Sequence, residues 1–385
     1  MRIALLRIGQ AGASLWKDSA DDDVYDFGNA LAAKGHEAHL FEALAVRKSS
    51  YQRKDSIHYH TVSIKGRSAV AQEAIESCLL YYLQCTENVA GSFDILHCFD
   101  ASLIPVVGQL SASRPAAAFL SIISDQAASP NGFLVTRRRG WSAEEVVDCV
   151  IVSSRTLKEK IMGHLGLRDG KVVVLGPGVD LAKYSKWVDQ GKVKQRYQIG
   201  PLDPVALAVG ELSARSKAGV LLEAAFKLVQ QFSSFKVVFA GDGPMQPYLR
   251  ERAKVLGIEG AIRFLSFLSE SQLIELYNAC DLVFVPDDAR HASRNILEAW
   301  SAGKPTIVWG KVLPDFIENR DDVLVTEANR DSLAEAIGSL LLDPTRARAM
   351  GARAWGKVKS EFSWSAIADK TLNIYSTAKS RRTLS

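Results

Sequence analysis

Residues 279–305 hold the strongest chemical pattern in the chain. Ala279-Cys280-Asp281-Leu282-Val283-Phe284-Val285-Pro286 reads as a buried strand followed by a polar loop. Asn295-Ile296-Leu297-Glu298-Ala299 then opens a helix that Gly303-Lys304-Pro305 stops. A helix N-terminus offers unpaired backbone N–H groups and the positive end of the macrodipole, a natural seat for a diphosphate. Glu298, one turn in, could reach a ribose hydroxyl. A nucleotide site is therefore expected from the residues themselves.

Other chemically suggestive groups are weaker. The acidic run Asp21-Asp22-Asp23 precedes a helix, where negative charge complements the helix dipole. His58 and His60 share one face of a strand, but no further ligands lie near them in sequence, so no metal is expected. The five cysteines are scattered, with no CxxC pair and no zinc spacing. They argue against a disulfide framework and for a reducing cytoplasm. Cys78 and Cys85 read as packing residues in a helix.

The elements that must hold the site alternate along the whole chain, which has 385 residues, enough for two or three domains. Hydrophobic residues make up 47% and charged residues 23%, as in ordinary water-soluble domains. No apolar run is long enough to span a membrane, and the apolar part of the N-terminus is too short for a secretory signal. Short apolar runs expected as strands are Arg2–Leu6, Glu37–Phe41, Ile95–Cys98, Ala117–Ile123, Cys149–Val152 and Val172–Leu175. A second series follows: Val205–Val209, Lys236–Ala240, Ile262–Leu265, Leu282–Val285, Thr306–Val308 and Val323–Val325. Helical patterns fill the gaps. This is an α/β pattern: two tandem doubly wound, Rossmann-like parallel-sheet domains facing a cleft. The expected division is 1–190 and 200–360, with 361–385 an amphipathic helix crossing back to the first domain. The polar stretch from about Asp180 to Pro204 reads as the link.

The formal net charge is only +4. Basic residues cluster at Arg47, Lys48, Arg53 and Lys54, at Arg137–Arg139, and at Lys379, Arg381 and Arg382. Solvated loops explain these clusters. Contact with anionic lipid headgroups is the sharper reading. Nucleic acid is disfavoured, because aromatic residues do not interleave with the clusters.

Several motifs together resemble one family. Ala240-Gly241-Asp242-Gly243-Pro244 follows a strand and opens a helix. Phe264 to Ser269 precedes Leu273-Ile274-Glu275-Leu276-Tyr277-Asn278-Ala279-Cys280-Asp281. Asn295 to Ala299 and Gly303-Lys304-Pro305 follow, while the first half adds Ala32-Ala33-Lys34-Gly35-His36-Glu37 and Gly176-Pro177-Gly178-Val179-Asp180. In order and spacing these resemble the retaining GT-B glycosyltransferases of family 4, the group 1 sugar transferases, over nearly the whole chain. The resemblance implies a nucleotide-diphosphate sugar, UDP- or GDP-linked, on the C-terminal domain and a glycan, lipid or small-molecule acceptor on the N-terminal one. It implies transfer with retained anomeric configuration, without metal or other cofactor. The cysteine usage points to a cytoplasmic protein, and the basic clusters to the inner face of the membrane as a place of peripheral contact.

Carried over residue by residue, the resemblance makes Glu298 the ribose carboxylate and Lys217 the phosphate lysine. Phe267 and Leu268 fall where a strand end packs the base. Gly241, Ser293, Arg294, Asn295 and Ile296 complete the donor side, and Gly9 and Gly12 form the loop by the acceptor or diphosphate. Ser124, Asp125 and Arg290 fall at the reacting centre. The departures matter as much. Arg290 replaces the glutamate that touches the donor sugar, Glu211 replaces the phosphate-binding arginine, and Ser124 replaces a histidine. His291-Ala292-Ser293-Arg294 replaces a Pro-Phe-Gly-hydrophobic loop, and Trp309-Gly310-Lys311 a Gly-Gly turn. Arg290 or Arg294 could restore the phosphate charge lost at Glu211. The alternative is a catalytically degenerate binding or scaffold partner of another transferase. An epimerase or phosphorylase on this scaffold has no motif in its favour.

Overall fold

The computed structural model describes residues 1–9, 23–44, 46, 48–64, 72–112, 116–122, 142–286, 293–309, 313–317, 321–327 and 329–384. Ser124, Asp125, Arg290, His291 and Gly12 lie outside the described residues. The chain divides into two compact units, residues 1–178 with 364–385, and residues 179–363.

In the first unit, eight described strands form one sheet: β1 (Arg2–Ile8), β2 (Glu37–Leu44), β3 (Ser50–Lys54), β4 (Ile57–Ser63), β5 (Ile95–Cys98), β6 (Ala117–Ile122), β7 (Cys149–Val152) and β8 (Val172–Val174). Their order is β3-β4-β2-β1-β5-β6-β7-β8. All neighbours are parallel except β3 and β4, an antiparallel hairpin at the edge. Interior strands such as Ala-Ala-Phe-Leu-Ser-Ile and Cys-Val-Ile-Val are buried throughout, because helices cover both faces. One face packs beneath α1 (Asp23–Ala33) and the other beneath α2 (Gln72–Ala90). Gly91, at φ +91°, follows the last turn of α2 in the left-handed region that suits glycine. The edge strand β3 is absent from the elements expected by sequence, whereas β4 is the strand that carries His58 and His60. The reason is physical: β3, Ser-Tyr-Gln-Arg-Lys, is a polar, largely exposed edge strand with no apolar alternation to read.

The second unit has β9 (Val205–Val209), β10 (Lys236–Ala240), β11 (Ile262–Leu265), β12 (Leu282–Phe284), β13 (Thr306–Trp309) and β14 (Leu324–Thr326). Their order, β11-β10-β9-β12-β13-β14, is the doubly wound 3-2-1-4-5-6 arrangement. The strand order reverses between β9 and β12. Cores fill both faces of this sheet. The polar stretch after Asp180 is itself folded, with helices at Leu181–Tyr184 and Gln190–Arg196. Tyr184, Val193 and Ile199 from it are buried in the second unit's core.

Three further helices position the chemistry. They are α3 (Ala218–Gln231), α4 (Glu270–Ala279) and α5 (Ser293–Ser301). Helix α5 has begun by Ser293, two residues before the Asn295 start read from sequence. A long helix, α6 (Trp364–Leu384), belongs to the first unit. Ile367, Ala368, Tyr375 and Ala378 from it are buried in that unit's core.

Candidate functional site

Ligands of open parallel sheets sit beyond the carboxyl ends of the strands, where the strand order reverses. In the second unit that place is the crevice between β9 and β12. The chain leaves β9 through Gly210-Glu211-Leu212 and leaves β10 through Gly241-Asp242-Gly243. These loops are zipped together by backbone bonds, Leu212 N–H to Asp242 O at 2.9 Å and Met245 N–H to Leu212 O at 2.8 Å. A Cβ on Gly241, at φ +156°, would stand 2.0 Å from Gly210 O, a distance no real side chain tolerates. Glycine here lets two backbones touch and leaves the strand ends bare of side chains.

Two helix N-termini converge on the crevice. Helix α3 starts after Lys217, whose backbone N–H donates to Pro286 O at 2.8 Å. Pro286 follows β12, so this bond crosses the reversal point. The Trp309 indole N–H, from the end of β13, donates to the same carbonyl at 2.8 Å. Lys217 Nζ lies 4.8 Å above the Trp309 ring, a cation–π contact that leaves its charge beside the strand ends. Helix α5 is tied across the same crevice, with the Asn295 side-chain amide donating to Val209 O at 3.1 Å. Thus Lys217 and the first turn of α5 are held by the facing ends of β12 and β9.

Glu298 is buried, and its carboxylate is already engaged. Arg294 Nε donates to Oε1 at 3.0 Å, one turn back along α5. Tyr277, on α4, donates to Oε2 at 3.1 Å. The Tyr184 hydroxyl lies near enough for the same carboxylate's charge to act on it. Burial first, then the Glu298 charge, pushes the phenols of Tyr184 and Tyr277 far up, so both stay protonated donors. A carboxylate has about four acceptor positions, so ribose contact would use what Arg294 and Tyr277 leave. Arg294 remains half exposed.

The other donor-side residues divide by what they can offer. Ser293 is half-buried. Ile296 is wholly inside the core, so only its backbone can contact a ligand. Leu268 packs against the core, whereas Phe267 is 93% exposed and sits at φ +56°, a conformation that costs a non-glycine residue energy. An exposed aromatic ring held in a strained turn at the end of β11 is a ready stacking surface. Glu211 is exposed at the crevice mouth.

In the first unit the strand order reverses between β1 and β5. Gly9 lies there, its N–H bonded to Ala43 O at 2.9 Å, and an added Cβ would meet Leu44 Cδ2 at 2.1 Å. A cavity of about 50 Å³ opens near the carboxyl ends of β5–β8, bounded by Phe27, His97, Ser121, Ser153, Trp364 and Thr371. His97 is fully buried between the Tyr375 and Ser121 hydroxyls, the latter 2.7 Å from Nε2. Burial pushes its pKa down to about 3. The only mark of His97 in the sequence is a histidine inside the apolar strand Ile95–Cys98. Nothing in the sequence marks Tyr184 and Tyr277 as the tyrosines that will face Glu298.

The C-terminal basic cluster is partly engaged within this unit. Lys379 pairs with Asp94 at 2.5 Å and Arg382 with Asp148 at 2.8 Å. Among the described residues no helix is long and apolar enough to cross a membrane.

Comparison with known proteins points one way. The profile described as "Glycosyl transferases group 1" matches residues 189–355, and that of "Glycosyltransferase Family 4" matches residues 23–183. An uncharacterized glycosyltransferase of Methanocaldococcus jannaschii is 28% identical over 236 residues, 60% of each chain. The D-inositol 3-phosphate glycosyltransferase of Rhodococcus jostii is 28% identical over 239 residues, 59% of this chain and 52% of that one. The chain therefore spans between half and two thirds of the length of these curated relatives. Among solved structures, a glycosyltransferase from Rickettsia africae superposes with a TM-score of 0.74 at 15% identity, covering 98% of both chains. Anabaena HepE, solved with UDP-glucose, gives 0.69 at 17% identity, covering 97% of this chain and 100% of that one. Both share the GT-B fold.

Proposed function

Since the chain belongs to the group 1 glycosyl transferases of the GT-B fold, we propose that it moves a sugar from a nucleoside-diphosphate donor to an acceptor. The second unit holds the donor and the first unit the acceptor. Transfer proceeds with retained configuration and without metal. One observation carries this reading: the N-termini of α3 and α5, with Lys217 between strand ends, meet at the reversal point of the second sheet. Each helix end carries about half a positive charge. A diphosphate leaving group gathers negative charge as the glycosidic bond breaks, and fixed donors of this kind stabilise it without reorganising.

Within that reading, Lys217 and the amides of residues 293–296 bind the diphosphate. Glu298, steered by Tyr277, accepts from the ribose. Phe267 stacks on the base. Arg294 adds the positive charge that Glu211 does not supply. The UDP-glucose complex of HepE favours a uridine donor as the first to try. The relatives named for D-inositol 3-phosphate favour a phosphorylated polyol as a first acceptor. Ser124, Asp125 and Arg290 are assigned to the reacting centre, and Gly9 and Gly12 to the acceptor loop.

The test is thermal shift against UDP, GDP and ADP, followed by turnover of the matching sugar. UDP should raise the melting temperature, and Lys217→Ala should weaken binding about tenfold or more, the loss of one charge-assisted phosphate contact. No response to any nucleoside diphosphate would overturn the donor assignment. A second reading has its own support, since an exposed Glu211 stands where the family places an arginine. It makes the chain a catalytically degenerate partner of another transferase. Nucleotide binding with no turnover, and stable capture of a second transferase, would favour it.

A further inference from the structure

His58 and His60 gain company that the sequence does not bring near. Strands β2 and β4 are parallel neighbours, and their register sets His39 directly opposite His58. Glu37, two residues before His39, faces the same way. A pair at i and i+2 on one strand plus the residue directly across thus send three ligand groups to one patch of sheet. One ligand atom from each of Glu37, His39 and His58 lies within 4.8 Å of the other two. Glu37 Oε1 is 3.0 Å from His39 Nε2.

The surroundings hold these groups in place. Arg2 bonds the other Glu37 oxygen at 3.0 Å, which turns Oε1 toward the histidines. His60 Nε2 stands 3.0 Å from His39 Nδ1, the outer partner that a metal-bound imidazole requires for its orientation. The Tyr51 hydroxyl anchors His58 Nδ1 at 2.8 Å. Rings of His39 and His58 stack at 4.3 Å. Glu37 is 39% exposed and His58 half-buried, so an ion has a way in.

We propose that Glu37, His39 and His58 form a binding site for a zinc-class divalent cation. One carboxylate and two imidazoles suit Zn²⁺, with a fourth position left to water. Convergence on one ion needs the His58 ring to tilt out of its stack, a movement its half-buried position permits. Arg2 limits the charge that the site presents, so binding in the micromolar range is expected rather than a permanent cofactor. Glu37 begins β2, so the ion would sit at the amino end of the strands. The sugar chemistry is assigned to carboxyl ends, so this site is structural: it clips the β3–β4 hairpin to the rest of the sheet. The inference does not rest on the transferase reading.

The experiment titrates Zn²⁺ into the chelator-stripped full chain by calorimetry, and uses Co²⁺ absorption to read the ligand set. One equivalent should bind, raise the melting temperature and, as Co²⁺, give visible d–d bands. Glu37→Gln and His58→Ala should each weaken binding at least about tenfold, while His164→Ala, an exposed histidine elsewhere in the same unit, should leave it unchanged. No heat and no spectrum at about 100 µM metal, far above an expected micromolar dissociation constant, would overturn the proposal. So would wild-type binding by Glu37→Gln, which keeps its size and should fold even where His58→Ala does not.

Discussion

Acid should weaken the first unit through His97, and the size of the effect follows from its burial. The ring is fully enclosed, its pKa falls from 6.5 to about 3, and desolvation is the cause. Tyr375 and Ser121 touch it, and Asp23 is the one carboxylate among the described residues lining the adjoining cavity. The unfolded chain binds a proton at this residue below pH 6.5, whereas the folded chain resists until about 3. Stability is therefore fully present above pH 6.5 and is lost as the pH falls through the interval down to about 3, at roughly 1.4 kcal/mol per pH unit. Going from neutrality to pH 5 should cost about 2 kcal/mol, a large part of a typical domain's 5–15 kcal/mol. Hydrogen exchange over Ile95–Cys98 and Ala117–Ile122 reads the opening of this region directly. The His97 share should speed exchange at these strands by a factor of about 30 between pH 7 and 5, after correction for the intrinsic rate. His97→Gln, which cannot titrate, should remove this share of the dependence and leave that of His39 and His60, which burial pushes down to about 4 and about 3. An equal pH dependence in wild type and His97→Gln would refute the reasoning.

Three other changes test the second unit. Gly241→Ala should destabilise it by about 2–3 kcal/mol in denaturant unfolding, because the new methyl meets Gly210 O in a left-handed backbone. Tyr277→Phe removes a buried donor from Glu298, and should cost about 1–3 kcal/mol and raise the donor KM severalfold more than it lowers kcat. Phe267→Gly should stabilise the fold by about 1 kcal/mol, since it relieves the positive φ at an exposed position, while nucleotide affinity falls. Equal affinity in that variant would show that the ring does not stack on the base.

Much of this fold is legible because parallel strands are buried on both faces. Val205–Val209 is an uninterrupted apolar run and Lys236–Ala240 is apolar after its first residue, and both match the strands residue for residue. The strand Ser50–Lys54 is not legible for the opposite reason: an edge strand need not be apolar. Helix starts were legible where a cap exists. Ser269 forms a full capping box with Gln272, and the helix begins at Glu270. Of the site, Lys217 and Asn295 could be named from motifs, and the structure brings both to the reversal point between β9 and β12. The tyrosines around Glu298 could not, because Tyr184 and Tyr277 stand 114 and 21 residues away and come near it only through packing. The grouping of Glu37, His39 and His58 depends on strand register, which no local pattern encodes.

The placement of α6 bears on how the chain is born. Residues 364–384 supply Tyr375 and Ala368 to the interior of the first unit, yet they leave the ribosome after everything in the second. During synthesis the first unit must wait, its sheet uncovered along one flank, until the second has been made. A released chain that ends after Ser363 should carry a finished second unit and an unfinished first one.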